Sequence, residues 1–152
     1  LSSVLGLVVA HGAAEPLRGW LVEIQNDLFD VGADLCVPGE AGDRLRLTPA
    51  YTARMEALID EVNAQLPPLK SFILPGGNAT SAWLHLARNV CRRAERLVTE
   101  LRAQADEHAR VNLEVVKYLN RLSDLLFVLA RAANEQGKLD VLWVPGRRQG
   151  GT

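Results

Sequence analysis

Apolar residues return every three or four positions along most of the chain, the spacing of one face of an α-helix. A first helix is expected over residues 2–12. Pro16 suits the first position of a second, predicted over residues 17–35 with Leu21, Ile24, Leu28, Val31 and Leu35 in line. Pro38-Gly39-Glu40-Ala41-Gly42 reads as a loop. Thr48-Pro49 supplies an N-cap and a proline at N1 for a third helix, running to about residue 65 with Met55, Leu58, Ile59 and Val62 inward. Leu66-Pro67-Pro68 ends it, because paired prolines force extended backbone. Ser71 through Gly77 is an apolar, non-helical loop. Asn78 or Thr80 caps a long fourth helix reaching about residue 106, and a last helix covers about residues 111–136. No β-hairpin signal, repeat or low-complexity tract is present. The pattern predicts an all-α protein, an up-and-down bundle of four or five helices over residues 1–136. A mostly irregular tail follows over residues 137–152, with Val141-Leu142-Trp143 its best-held part.

The two long helices carry the polar detail. At about 100° per residue, Trp83, Ala87, Val90, Ala94, Leu97 and Leu101 share one face of the fourth helix and are expected inside. Arg88, Arg92 and Arg96 stack at i, i+4 spacing on the opposite side, with Ser81 and Thr99 in line. Three like charges so placed repel unless an anion lies against them, and Glu95 answers only part of that charge. In the last helix, Val115, Leu119, Leu122, Leu126 and Leu129 form the expected core line. Asn120, Asp124, Phe127 and Arg131 share the far face, and a phenylalanine there predicts a second covered side.

Composition narrows the class without naming it. The chain has 152 residues, 48% apolar and 23% charged. That length suits one domain able to bury about 70% of the surface its unfolded chain exposes. A net charge of −1 argues against a general nucleic-acid or membrane binder and leaves the arginine ladder as a local basic stripe. Cys36 and Cys91 form no disulfide framework or zinc spacing, which fits a reducing cytosol and a cytoplasmic location. No apolar run reaches the roughly 18–20 residues that span a bilayer. The sequence opens at Leu1 without a methionine, directly in a helical pattern, and is expected to be a piece of a longer chain.

The chemical candidates each have two uses. The ladder can fork onto phosphate oxygens or pair with carboxylates of neighbouring helices. Asn120 and Asp124, one turn apart, can hold a ribose or a cation, clamp an arginine, or sit as a polar interface pair. Phe72 is a core plug unless its loop overhangs a pocket. Gly76-Gly77 lacks the following Lys-Ser or Lys-Thr of a phosphate loop and reads as a turn. His11, His85 and His108 form no metal-ligand cluster, and no metal site is expected. No serine, cysteine or histidine constellation suggests a protein nucleophile. Any chemistry is expected to come from a ligand that brings its own.

At these residues the chain resembles the PduO-type ATP:cob(I)alamin adenosyltransferases, or corrinoid adenosyltransferases. The matching words are Phe72-Ile73-Leu74-Pro75-Gly76-Gly77; Arg88 through Arg96 with its core Cys91-Arg92-Arg93-Ala94-Glu95-Arg96; and Tyr118 through Asp124 followed by Leu126-Phe127. Weaker agreement covers Ser2-Ser3 with Gly6, the stretch from Ile24-Gln25 to Leu35, and Leu66-Pro67-Pro68. The resemblance implies a five-helix bundle that trimerises, with sites between subunits that bind cobalamin and ATP with magnesium. Such an enzyme holds cobalamin with its lower axial ligand removed, which eases reduction to cob(I). The cobalt then attacks the ribose 5′ carbon of ATP and triphosphate leaves. A cofactor that carries the hard chemistry agrees with a chain lacking a nucleophile.

Carried over by motif, Arg92 and Asn120 contact ATP, with Glu95 and Arg96 close by. Arg88 makes a salt bridge across the subunit interface. Phe72 presses on the corrin where the lower ligand is displaced, and Asp124 lies at the same site. Arg92, Phe72 and Asp124 are thus the expected catalytic set, while Arg93 falls beside the ladder and is structural. Family members carry a glycine-rich Thr-Lys-Thr-Gly-Asp segment that wraps the triphosphate, then an Asp-Glu before the residue matching Leu1. The carboxylate for Arg88 is expected there. The implied partners are a cobalamin reductase or flavoprotein and an adenosylcobalamin-dependent mutase. A second reading, a non-catalytic carrier delivering adenosylcobalamin to such a mutase, would need Phe72 but not Arg92 or Asn120. A third is a structural bundle whose ladder only joins subunits.

Overall fold

The computed structural model describes residues 1–37, 39, 42–107 and 109–146. Pro38, Glu40 and Ala41 of the expected loop, His108, and the tail beyond residue 146 lie outside the described residues. Five helices follow one another: α1 Ser2–Ala10, α2 Leu17–Cys36, α3 Pro49–Asn63, α4 Ala79–Ala103 and α5 Leu113–Ala133. The fold is all-α. Helix α5 is its axis, with α4 and α3 packed along it and α1 lying against α2 and α4. The line Val115, Leu119, Leu122, Leu126 and Leu129 is buried as its spacing predicts. So are Tyr118, Leu125, Val128 and Ala130, because neighbours cover this helix on several sides. Emptying one of those leucine sites to alanine would cost about 2–5 kcal/mol.

Polar side chains start the long helices. The Asn78 carboxamide oxygen accepts from the Ser81 N–H at 2.9 Å, and that of Asn112 from the Glu114 N–H at 3.0 Å. Thr48 holds the extended backbone of an N-cap before Pro49 but makes no side-chain cap bond. Helix α5 ends where Glu135, Gln136 and Gly137 take positive φ, a run that no right-handed helix can follow.

Helix α4 is turned from the orientation predicted: Ala87 is buried as expected and Trp83 and Ala94 pack partly against the core, but the outer half of the predicted line is not inside. Leu84, Ala87, Cys91 and Val98 are buried, whereas Leu97 is 55% exposed and Leu101 also faces out. Its apolar arc is wider than one neighbour can cover, and α5 takes only one edge of it. The Cys91 thiol donates to the Leu119 carbonyl at 3.2 Å, which fixes that edge. The rotation carries the first rung of the arginine ladder to the flank of the α4–α5 seam, not to the side opposite the core.

The described part of the tail is held. Ile73 and Leu142 form an isolated antiparallel bridge, flanked by Leu74 N–H to Val141 C=O at 2.8 Å and Trp143 N–H to Phe72 C=O at 2.7 Å. This pairing joins segments about seventy residues apart, and neither has the length or alternation that would announce a strand.

Candidate functional site

The antiparallel register of α4 on α5 builds a polar seam. Asn120 donates from Nδ2 to Glu95 Oε1 at 2.7 Å. Further along, the Arg88 guanidinium lies 5.3 Å from the Phe127 ring centroid, and the His85 ring meets that ring edge-on at 6.2 Å. With Glu95 opposite Asn120 and Arg88 opposite Phe127, the register sets Arg92 level with Asp124 and Arg96 level with Asn120. The ladder and the Asn120–Asp124–Phe127 face therefore lie along one α4–α5 seam, whose outer surface is called the groove.

The charges in that groove are unevenly answered. Glu95 spends its bond on Asn120, not on the ladder as its position suggested. Among the described residues no carboxylate lies within 4.0 Å of Arg88, Arg92 or Arg96. Arg88 Nε is buried and has no hydrogen-bond partner there. Leaving a charged donor so placed unmet costs several kcal/mol unless an anion arrives. Arg121 lies beside the groove, donating to Asn120 Oδ1 at 2.9 Å and pairing with Asp124 Oδ2 at 3.3 Å. Both members of that ion pair are nearly half exposed, so it holds Asp124 only weakly. A shallow cavity of about 330 Å³ opens on the α3 side of Asn120, lined by Thr52, Glu56, Glu95, Lys117, Asn120 and Arg121. A cavity of about 600 Å³ beside Trp20 holds none of the expected site residues.

His85 is only 4% exposed. Burial pushes its pKa down, the nearby Arg88 charge adds to that, and Asp140 opposes both. The imidazole therefore stays neutral beside Phe127, which keeps the end of the groove apolar. Burial, then Glu95, raises the Cys91 thiol to about 12, so it stays protonated and inert.

Phe72 is set apart from the other candidates. It is 77% exposed, neither core plug nor member of the seam, and no ring contact or hydrogen bond joins it to Asp124 among the described residues. Its loop is tied to the same end of α5 through Arg131, which donates to the Pro67 carbonyl at 2.8 Å. Gly77 follows at φ +93, where a Cβ would stand 2.4 Å from Asn134 Oδ1. Only glycine lets the loop pass so close to the end of α5.

Sequence reasoning missed the buried carboxylates. Asp27 receives Arg54 at 2.5 Å and the Tyr118 hydroxyl at 3.0 Å. Asp34 receives Arg46, the Leu47 N–H and Asn112 Nδ2. A signal was present: both interrupt the apolar line of α2 seven residues apart.

A profile of the cobalamin adenosyltransferase family matches residues 1–133. The chain belongs to this family. It is 53% identical over 150 residues to the corrinoid adenosyltransferase of Mycobacterium tuberculosis (strain H37Rv), covering 95% of this chain and 75% of that one. The corrinoid adenosyltransferase of Bacillus subtilis is 41% identical over 138 residues, covering 88% and 69%. Among solved structures, a variant PduO-type ATP:corrinoid adenosyltransferase from Lactobacillus reuteri, complexed with cobalamin and ATP, superposes with a TM-score of 0.81 at 34% identity. That match covers 93% of this chain and 79% of the other. The exposed Phe72 loop, the α4 ladder and the α5 polar face all lie within the matched residues.

Proposed function

We propose that this chain transfers the 5′-deoxyadenosyl group of ATP to the cobalt of reduced cobalamin, giving adenosylcobalamin and triphosphate. The observation that carries this is the seam itself. Three stacked arginines, with no carboxylate within 4.0 Å among the described residues, flank the Glu95–Asn120 pair, and an apolar end marked by Phe127 and an exposed Phe72 lies toward the end of α5. That is a polar berth for a nucleoside triphosphate next to an apolar berth for a corrin. In this reading Arg92 and Arg96 draw charge from the departing triphosphate, Asn120 fixes the nucleoside, and Glu95 orients Asn120. Phe72 occupies the lower face of the corrin, with Asp124 at the same site. The C5′–O bond to triphosphate breaks as the cobalt–carbon bond forms, and the protein supplies orientation, which can contribute about 7–11 kcal/mol. Among the described residues no three His, Cys, Asp or Glu side chains converge as a metal site. Magnesium would therefore enter on the triphosphate, held by phosphate oxygens and water.

The buried Arg88 Nε is best answered by a carboxylate of a neighbouring subunit in a homotrimer. The outward apolar edge of α4, with Leu86, Leu97 and Leu101, supports such an assembly. No described helix is long and apolar enough to cross a membrane. The cysteines are free, in keeping with a cytoplasmic enzyme. A flavin-type reductase would supply the electron, and the product would pass to a dependent mutase.

The test is anaerobic. Magnesium-ATP is added to the protein with cob(I)alamin, and the absorbance is followed. Appearance of adenosylcobalamin is expected, and Arg92→Ala should abolish it while cobalamin still binds. Bound cobalamin that never converts, with Arg92→Ala behaving like the parent, would rule out the transferase.

A further inference from the structure

An exposed phenylalanine in a loop ordinarily samples many positions, yet Phe72 is pinned. Trp143 N–H donates to its carbonyl at 2.7 Å, Leu74 N–H reaches Val141 at 2.8 Å, and Ser71 Oγ donates to the Trp143 carbonyl at 2.9 Å. The Trp143 ring packs on the Phe72 ring at 5.9 Å between centroids, inclined by 58°. The segment doing the pinning is itself rooted. Asp140 Oδ2 accepts from Arg131 Nε at 3.0 Å, and Oδ1 accepts from Asn134 Nδ2 at 3.1 Å. Both side chains of the Arg131–Asp140 pair are 5% exposed. The same guanidinium holds the start of the Phe72 loop through Pro67. Arg131 stands one turn beyond Phe127 on α5, the helix that carries Asn120 and Asp124.

A strand that merely sealed the core would bury its apolar side chains. Here the charges are buried while Val141, Leu142, Trp143 and Val144 stay out with Phe72. We propose that residues 140–143 are a positioning device. Rooted on Arg131 through Asp140, they fix Phe72 relative to the α5 groove, and Trp143 is its lateral support against the corrin. This rests on the reading of Phe72 given above. The entropy of ordering the loop is met before cobalamin binds, so the aromatic ring meets the corrin already set.

The test compares Trp143→Ala, Trp143→Phe, Asp140→Asn and Phe72→Ala with the parent. Two readouts are taken: the absorbance spectrum of cob(II)alamin bound with magnesium-ATP, which reports loss of the lower ligand, and kcat with KM for ATP. Trp143→Ala and Asp140→Asn should retain the lower ligand in more of the bound cobalamin and lose about tenfold or more in kcat. KM for ATP should move by less than about twofold, and Trp143→Phe should recover most of the loss. Should Asp140→Asn fail to fold, Trp143→Ala decides alone, because its side chain is partly exposed. If both variants keep the parent spectrum and kcat while Phe72→Ala loses them, the tail is passive and the inference is overturned. If Phe72→Ala also keeps them, the role given to Phe72 falls first, and the positioning role falls with it.

Discussion

Two sets of arginines divide this molecule. Arg46, Arg54 and Arg131 each meet a carboxylate of the same chain: Asp34 at 3.3 Å, Asp27 at 2.5 Å and Asp140 at 3.0 Å. Arg88, Arg92 and Arg96 meet none among the described residues. The first set ties helices and loops together, and its carboxylates are saturated by further donors such as Tyr118 and Asn112. Burial and the Asp27 charge raise the Tyr118 hydroxyl far above its ordinary range, so it remains a donor. The second set lies along a groove and leaves a buried donor unanswered. A fold can carry a buried charge cheaply only by pairing it. Of the second set only Arg88 Nε is a buried donor without a partner among the described residues, whereas Arg92 and Arg96 are exposed, where water or a ligand can answer them.

Substitutions can break that division at either side. The largest effect is expected from Asp34→Ala, which strands Arg46, the Leu47 N–H and Asn112 together. It should lower stability by about 3–5 kcal/mol in urea unfolding, while the folded fraction keeps its turnover. Arg92→Ala should do the reverse. Turnover should fall about 100-fold or more, with the unfolding midpoint nearly unchanged. Removing the cap with Asn112→Ala should cost about 1–2 kcal/mol, more than an isolated cap because Nδ2 also holds Asp34 and the Leu47 carbonyl.

His85 gives a smaller, pH-dependent effect. Its folded pKa is lowered, so the unfolded chain takes up its proton first. The stability tied to the neutral ring is intact above the unfolded value near 6.5 and declines as pH falls below it. His85→Gln should therefore lose less stability than the parent between about pH 7 and pH 5, read as the difference between their thermal midpoints. The smallest effect belongs to Lys117→Ala, which removes an exposed pair with Glu114. A change above about 1 kcal/mol there would contradict the ranking.

Much of this was legible before any coordinates. The α5 core line follows from spacing, because a helix surrounded by partners buries whatever stripe it has. The shared faces of the ladder and of Asn120 with Asp124 were legible, since i, i+4 spacing survives any rotation of a helix, but the side of the bundle on which the ladder lies was not. The inward face of α4 was not legible. Trp83, Val90, Leu97 and Leu101 are as apolar as Leu84, Cys91 and Val98, and periodicity cannot say which edge of a broad arc α5 will take. The clamp of Arg131 on Asp140 was hidden for another reason. It depends on where the chain turns back after Gly137, which no local period encodes.

The two thiols also give the molecule a single chemical handle. Cys91 is sealed against Leu119 and stays protonated, whereas Cys36 stands exposed at the end of α2. A thiol-directed fluorophore would therefore settle on one known position per chain with no engineering. Energy transfer between differently coloured chains could then count and space the copies in an assembly while the groove stays untouched.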